Sequence, residues 1–242
     1  MLGFGGKYED DSLDRSLFTR SDLNNPKFLK YAKRDAYITR KIGEFIARQH
    51  DEWEVPTTIS APHFASVVFK MHFLDDDITP VSGPIEQAGL YAYHGGKNGY
   101  YLDGPSELSN VWFYDINSAY PEAMSELPDI TTSSWKPTRK YRRGSHGVYK
   151  ITGTYTPCSY RGMQNHRGSW IMGGYVDGIW VTSYELDEMI DHNEFVVDDI
   201  EGFVLVGKPG GPLKKYVDHF YDLKKTTVGP QREWAKLLLI SL

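Results

Sequence analysis

Three observations predict an α+β, mixed α/β fold for this chain. Two stretches, Lys27 to about Arg48 and Pro212 to about Thr226, place apolar residues at spacings of three and four, as amphipathic helices do. Two others, Val148-Tyr149-Lys150-Ile151-Thr152 and Ile179-Trp180-Val181-Thr182, alternate apolar and polar residues, as half-buried strands do. Between these lies Val111-Trp112-Phe113-Tyr114-Asp115-Ile116-Asn117-Ser118-Ala119-Tyr120-Pro121-Glu122-Ala123-Met124, whose β-branched and aromatic first half reads as a buried strand and whose second half can wind into a helix. With 242 residues, 40% hydrophobic and 14% aromatic, the chain can bury the core of one large domain or two small ones.

Composition narrows the function classes. The net charge of -5 argues against binding nucleic acid through overall charge, which leaves local patches open. A single cysteine, Cys158, excludes an internal disulfide and a cysteine-rich zinc site and fits a reducing interior. The N-terminal stretch lacks the features of a signal peptide, and no apolar run reaches membrane-spanning length, so a soluble, cytoplasmic protein without a membrane partner is expected.

In chain order, residues 1–25 are polar, and Glu9, Asp10, Asp11 and Asp14 read as a solvated acidic loop. The first helix has Pro26 at its start and the stripe Phe28, Tyr31, Ile38, Ile42, Phe45. Asp35 falls on that stripe. A carboxylate on a face meant for burial needs a cation or a metal as partner, or a cleft to line. Residues 49–90 carry four prolines, Pro56, Pro62, Pro80 and Pro84, a helical stretch around Phe64 to Phe73, and the solvated run Asp75-Asp76-Asp77.

Tyr93-His94-Gly95-Gly96 either brings backbone close to a ligand beside an aromatic and a histidine, or makes a hairpin turn. Asp115, at the end of its expected strand, can hold a divalent metal or cap the helix that follows, and Asn117 or Ser118 would cap as well. From Thr131 to Tyr175 there is no acidic residue, and Lys136, Arg139, Lys140, Arg142, Arg143, Lys150, Arg161 and Arg167 are interleaved with tyrosines. Phosphate contact and base stacking use such residues, as does an exposed loop with hairpins. A short helix is expected from Ser183 to about His192. After the helix begun at Pro212, Gly229-Pro230 breaks the pattern, and a second helix carries Trp234, Leu237 and Leu238 on one face and Arg232 and Lys236 on another. Lys225, Arg232 and Lys236 on a common side would clamp a triphosphate; otherwise they are ordinary surface cations.

The Asp-x-Asn-Ser-x-Tyr-Pro stretch from Asp115 to Pro121 resembles the first palm motif of family-B DNA polymerases, and its Asn-Ser pair resembles the protein-primed branch of phages and linear plasmids. Three further stretches match that family in order. Tyr31-x-x-x-Asp35 resembles the third motif of the 3′-5′ exonuclease site. Tyr93-His94-Gly95-Gly96 resembles the Tyr-x-Gly-Gly template-contacting motif. Lys236 to Leu242 resembles the fingers motif Lys-x-x-x-Asn-Ser-x-Tyr-Gly, with Ile240 where the family has asparagine.

The resemblance implies a partial polymerase: an exonuclease remnant over 1–55, linker and palm over 56–126, an inserted basic, β-rich region over 127–211 and a fingers hairpin over 212–242. It further implies DNA-directed DNA synthesis with two Mg2+ or Mn2+ ions about 4 Å apart, dNTP as substrate and primer-template DNA, with a terminal protein, as partners. Asp115 and the Ile116 carbonyl would ligate metal, and in the exonuclease remnant Asp35 would bind metal with Tyr31 orienting water. Ser118, Tyr120, Lys225, Arg232 and Lys236 would hold the nucleotide, Tyr120 against its sugar. Tyr93, His94, Gly95, Gly96, Arg139, Lys140, Arg142 and Arg143 would meet DNA. The end at Leu242 reads as mid-helix truncation, with thumb and remaining palm missing, so the chain alone is not expected to extend a primer. A catalytically dead DNA-binding relic is the alternative, and a metal-dependent hydrolase using Asp115 would need a His or carboxylate cluster that the sequence lacks.

Overall fold

The computed structural model describes residues 19–75, 78, 81, 83–95, 110–112, 114–158 and 163–242. The described helices are α1 (Pro26–Glu52), α2 (Ala61–His72), α3 (Gly83–Ala92), α4 (Ala119–Ser125), α5 (Ser183–Asp191), α6 (Pro212–Thr226) and α7 (Gly229–Leu239). The described strands are β1 (Ser134–Thr138), β2 (His146–Tyr155), β3 (Met163–Gln164), β4 (Trp170–Ile171), β5 (Gly174–Thr182) and β6 (Phe195–Val206). The mixed α and β content predicted from the sequence is what the chain has. Its contacts divide into two compact units: one draws on Met1–Asp75, Ser118–Ser125 and Pro212–Leu242, the other on Asp76–Asn117 and Glu126–Gly211.

The first unit is helical. Asn25 caps α1 by accepting the Lys27 N–H at 3.0 Å, and Pro26 occupies a first-turn position where no N–H is needed. The helix runs one turn past its expected end because Gln49 and His50 continue the inward stripe and are buried with Phe45. The His50 Nδ1–H donates to the Ile46 carbonyl at 2.8 Å, and its Nε2 accepts the Thr58 N–H at 3.0 Å, which ties down the loop after the helix. Asp35 sits on the predicted face, half-buried, and makes no ion pair with a described residue.

Aromatic rings knit the helices of this unit together. Trp234 of α7 meets Phe64 of α2 at 5.2 Å and Phe45 of α1 at 6.0 Å, both edge-on. Tyr216 of α6 packs on Phe69 and Phe73, and its buried hydroxyl donates to the Leu238 carbonyl at 3.0 Å, fastening α6 to α7. The α7 helix ends at Leu239 rather than continuing to the last residue: Ile240 and Ser241 donate to the Leu237 and Leu238 carbonyls, a tightening of the final turn that satisfies them.

The second unit is built on an antiparallel sheet in the order β1-β6-β2-β5. The alternating stretches at 148–152 and 179–182 lie in β2 and β5, with Tyr149 opposite Val181 and Ile151 opposite Ile179. One face packs Tyr149, Ile151, Val181 and Phe195 with Leu186 and Met189 of α5. On the other, Ala88 and Ala92 of α3 pack on Val148, Trp180 and Phe203. Thr182 and Glu185 start α5 with a capping box, each side chain bonding the other residue's backbone N–H.

The expected buried strand before Asp115 is the main correction. Among the described residues of 110–116 none is in a strand, and Trp112, Tyr114 and Ile116 are 78%, 92% and 77% exposed. Composition favours β structure only where a neighbouring strand takes up the backbone hydrogen bonds, and no described strand lies alongside. Phe113 falls outside the described residues, as do Gly96, Arg161, Asp76 and Asp77 and the acidic loop at 9–14.

Candidate functional site

The helix expected after Asp115 forms as α4, but Asp115 itself is exposed and no capping bond is made by it or by Asn117. Ser118 adopts a left-handed conformation, with φ of 60°. Its carbonyl accepts the Glu122 N–H at 3.0 Å, opening α4, and its hydroxyl oxygen accepts from the Lys224 ammonium at 2.9 Å. Helix α4 packs on α6, so the second half of the Asp115–Pro121 motif and the C-terminal turn of α6 form one local structure. Tyr120 stands 73% exposed there, whereas Pro121 is buried.

Lys225 is exposed with its ammonium 4.2 Å from the centre of the Tyr221 ring; the Lys224 ammonium lies 5.4 Å from the same ring. Arg232 and Lys236 are exposed one turn apart on α7, which packs on α6 as the second arm of the hairpin. Lys224 is the residue that sequence reasoning passed over. A Lys-Lys pair at a helix end gives no local sign of which member reaches a serine more than a hundred positions earlier.

In the second unit Tyr93, His94 and Gly95 follow directly after α3, while Gly96, the second half of the expected glycine turn, lies outside the described residues. The His94 side chain is 6% exposed. Its Nδ1 lies 3.2 Å from Glu185 Oε1, and its Nε2 is buried without a hydrogen-bond partner in the structure. Tyr93 beside it is 76% exposed. Glu185 thus serves two ends, the α5 capping box and His94. The Thr182-x-x-Glu185 spacing signals the cap in sequence, but nothing signals the histidine.

The basic stretch is sorted by its partners. Arg143 makes a two-pronged ion pair with Asp191, with Nη2 to Oδ2 at 2.5 Å, and this neighbour holds its guanidinium above the usual range. Tyr141 donates to Asp187 at 2.5 Å, and burial together with that carboxylate pushes its hydroxyl pKa up. Lys150 pairs with Glu201 at 3.3 Å. Arg139, Lys140 and Arg142 are exposed and make no ion pair with a described residue. Arg139 borders a groove of about 460 Å³ whose floor holds Trp180 and Phe203, rings 6.3 Å apart and within 5° of parallel.

No group of three His, Cys, Asp or Glu side chains able to hold a metal ion occurs among the described residues. Asp115 and Asp35 each bring one carboxylate, which does not make a two-ion site. No helix among the described residues is long and apolar enough to cross a membrane.

Known proteins share this architecture. Phi29 DNA polymerase complexed with single-stranded DNA superposes with a TM-score of 0.62 at 19% identity, covering 90% of this chain. The same polymerase with primer-template DNA and incoming nucleotide gives 0.55 at 19% identity over 99% of this chain, and its post-translocation binary complex gives 0.54. The chain spans 40% of the length of the first of these structures and 44% of the second. No curated protein matches it. The family described as DNA polymerase type B, organellar and viral, matches residues 20–242, and to that family this chain belongs.

Proposed function

We propose that this chain is the nucleotide- and template-holding part of a protein-primed DNA polymerase that transfers dNTPs onto a primer. The observation that carries this is the packing of α4, which holds the Ser118-Ala119-Tyr120-Pro121 end of the palm-type motif, on α6, whose last turn presents Lys225. Lys225, Arg232 and Lys236 neutralise the triphosphate, Ser118 and Tyr120 border the sugar, and the Tyr120 ring excludes a 2′-hydroxyl. Tyr93, His94, Gly95 and Gly96, with Arg139, Lys140 and Arg142, meet template DNA; Arg143 takes part only by exchanging Asp191 for a phosphate.

Asp115 and the Ile116 carbonyl are assigned to the divalent-ion site of this reaction, Mg2+ or Mn2+. Asp35 and Tyr31 are assigned to an exonuclease remnant, and proofreading is not assigned to this chain. The solved structures of Phi29 DNA polymerase with primer-template DNA and incoming nucleotide support the choice of ligands. The basic β-rich region is the part proposed to meet a terminal protein.

The test is Mg2+-dependent dNTP binding by the chain in the presence of primer-template DNA. Asp115→Asn is expected to weaken the Mg2+-dependent component more than ~10-fold, a loss already typical of groups that merely orient metal ligands. It should leave DNA binding intact. Primer extension by the chain alone is expected to be absent. A second reading, a non-catalytic DNA-binding relic, is favoured by Ile240 in place of the family's asparagine; it predicts DNA binding with no dNTP binding at all.

A further inference from the structure

On the sheet face that α3 covers in part, Trp180 of β5 and Phe203 of β6 stand on the two strands that flank Val148 of β2. Their rings are parallel within 5°, with centres 6.3 Å apart, and both are half-buried. Parallel rings that stay partly accessible leave a flat apolar surface on which a further aromatic ring can stack. The pair lines the groove of about 460 Å³, whose walls are Pro84 at the start of α3 and Pro137, Thr138 and Arg139 at the end of β1. Such a volume falls within the range of about 300–1,000 Å³ common to small-ligand sites.

Arg139 is held at the rim by a local turn. The Thr138 hydroxyl oxygen accepts the Lys140 N–H at 3.1 Å and donates to the Lys140 carbonyl at 3.0 Å, which fixes the backbone on both sides of Arg139. The carboxylate in the lining, Glu201, is already paired with Lys150 at 3.3 Å. Asp177 and Asp199 gather with that pair in a separate groove. A phosphate is repelled from that end of the face and drawn toward Arg139, so the charge pattern gives a polyanion a direction.

We infer that the Trp180–Phe203 groove takes one unpaired base of single-stranded DNA: the base stacks on the ring pair, and Arg139 meets the adjoining phosphate. The rings alone would suit a proline-rich peptide, but such a peptide offers the guanidinium no anion. A flat ring joined to a phosphate satisfies both. This rests on the reading of Arg139, Lys140 and Arg142 as a DNA contact, and it adds the part that touches bases. The cations neutralise phosphates, whereas the rings hold the strand by its bases.

The experiment measures, over a range of salt, the affinity of the chain and its variants for a short single-stranded DNA oligomer and for an abasic oligomer of equal length. Trp180→Leu is expected to weaken binding of the first about tenfold, the order of one lost base stack. It should leave binding of the abasic oligomer unchanged, and it should keep the slope of log affinity against log salt, since no phosphate contact is removed. Trp180→Phe, which keeps a flat ring, should retain most of the affinity while losing part of the tryptophan fluorescence quenched by DNA. Circular dichroism confirms folding of each variant, and Phe203→Leu and Trp180→Phe carry the test if Trp180→Leu does not fold.

Equal affinity of the unsubstituted chain for the two oligomers overturns the inference. So does quenching that is unchanged in Trp180→Phe, and so does a loss in Trp180→Leu that is as large for the abasic oligomer. If glutamine at 139, 140 and 142 still lowers the salt slope in those cases, the basic stretch remains a DNA contact and only the base site falls. If that replacement leaves the slope unchanged, the DNA contact itself falls, and the base site with it.

Discussion

Asp129 shows how one carboxylate organises a turn. Its Oδ1 accepts both the hydroxyl and the N–H of Thr131, at 2.7 and 2.9 Å, and its carbonyl accepts the Ser133 N–H, leading the chain toward β1. The Thr131 hydroxyl, ahead of the other donors, holds the Asp129 carboxyl below its ordinary value of 3.8. A lowered folded-state value means that the unfolded chain binds the proton more readily. The stabilisation is therefore complete above about pH 4 and is lost as pH falls through the folded-state value. Asp129→Ala should cost about 1–2 kcal/mol at neutral pH, and the difference from the unsubstituted chain should shrink below pH 3.8 in urea titrations across that range. A penalty that stays constant in acid would show that the loss is one of packing.

Strand β2 lies between β6 and β5 and shifts register at Gly153 in both pairings. A Cβ there would lie 2.1 Å from the Val196 carbonyl oxygen and 2.9 Å from the Phe195 ring, a collision with backbone that no rotamer relieves. Gly153→Ala should destabilise the sheet by about 2–4 kcal/mol, measured by chemical denaturation; a destabilisation below about 1 kcal/mol would mean that the bulge moves freely. The neighbouring elements show which ones can be read locally. β2 and β5 alternate because residues such as Tyr149, Ile151 and Val181 meet the α5 side while Lys150 and Thr152 between them stay accessible, even though α3 covers part of the other face at Val148 and Trp180. β6 is not legible in the sequence because Asp198, Asp199 and Glu201 interrupt its pattern, and only its pairing with both β1 and β2 makes it a strand. Helix α6 is legible at its observed limits, since Pro212, the inward Tyr216, Val217 and Phe220, and Gly229 are all local signals.

At the scale of the whole molecule, a net charge of -5 coexists with an exposed cluster of Arg139, Lys140 and Arg142. Replacing these three by glutamine should weaken single-stranded DNA binding and lower the slope of log affinity against log salt by about 2, near 0.7 for each phosphate no longer neutralised. An unchanged slope would place the DNA elsewhere. What the sequence alone determined was local or cumulative: the mixed α/β content, the amphipathic helices, the strand alternations, and the ordered motifs that point to a type B polymerase. Those follow from spacing along the chain, which repeats every few residues. Tertiary structure decided that the run before Asp115 is exposed, that Arg143 belongs to Asp191, and that Lys224 rather than Lys225 reaches Ser118. Each depends on which distant groups share a few ångströms of space, and no pattern within a helix or a strand encodes that.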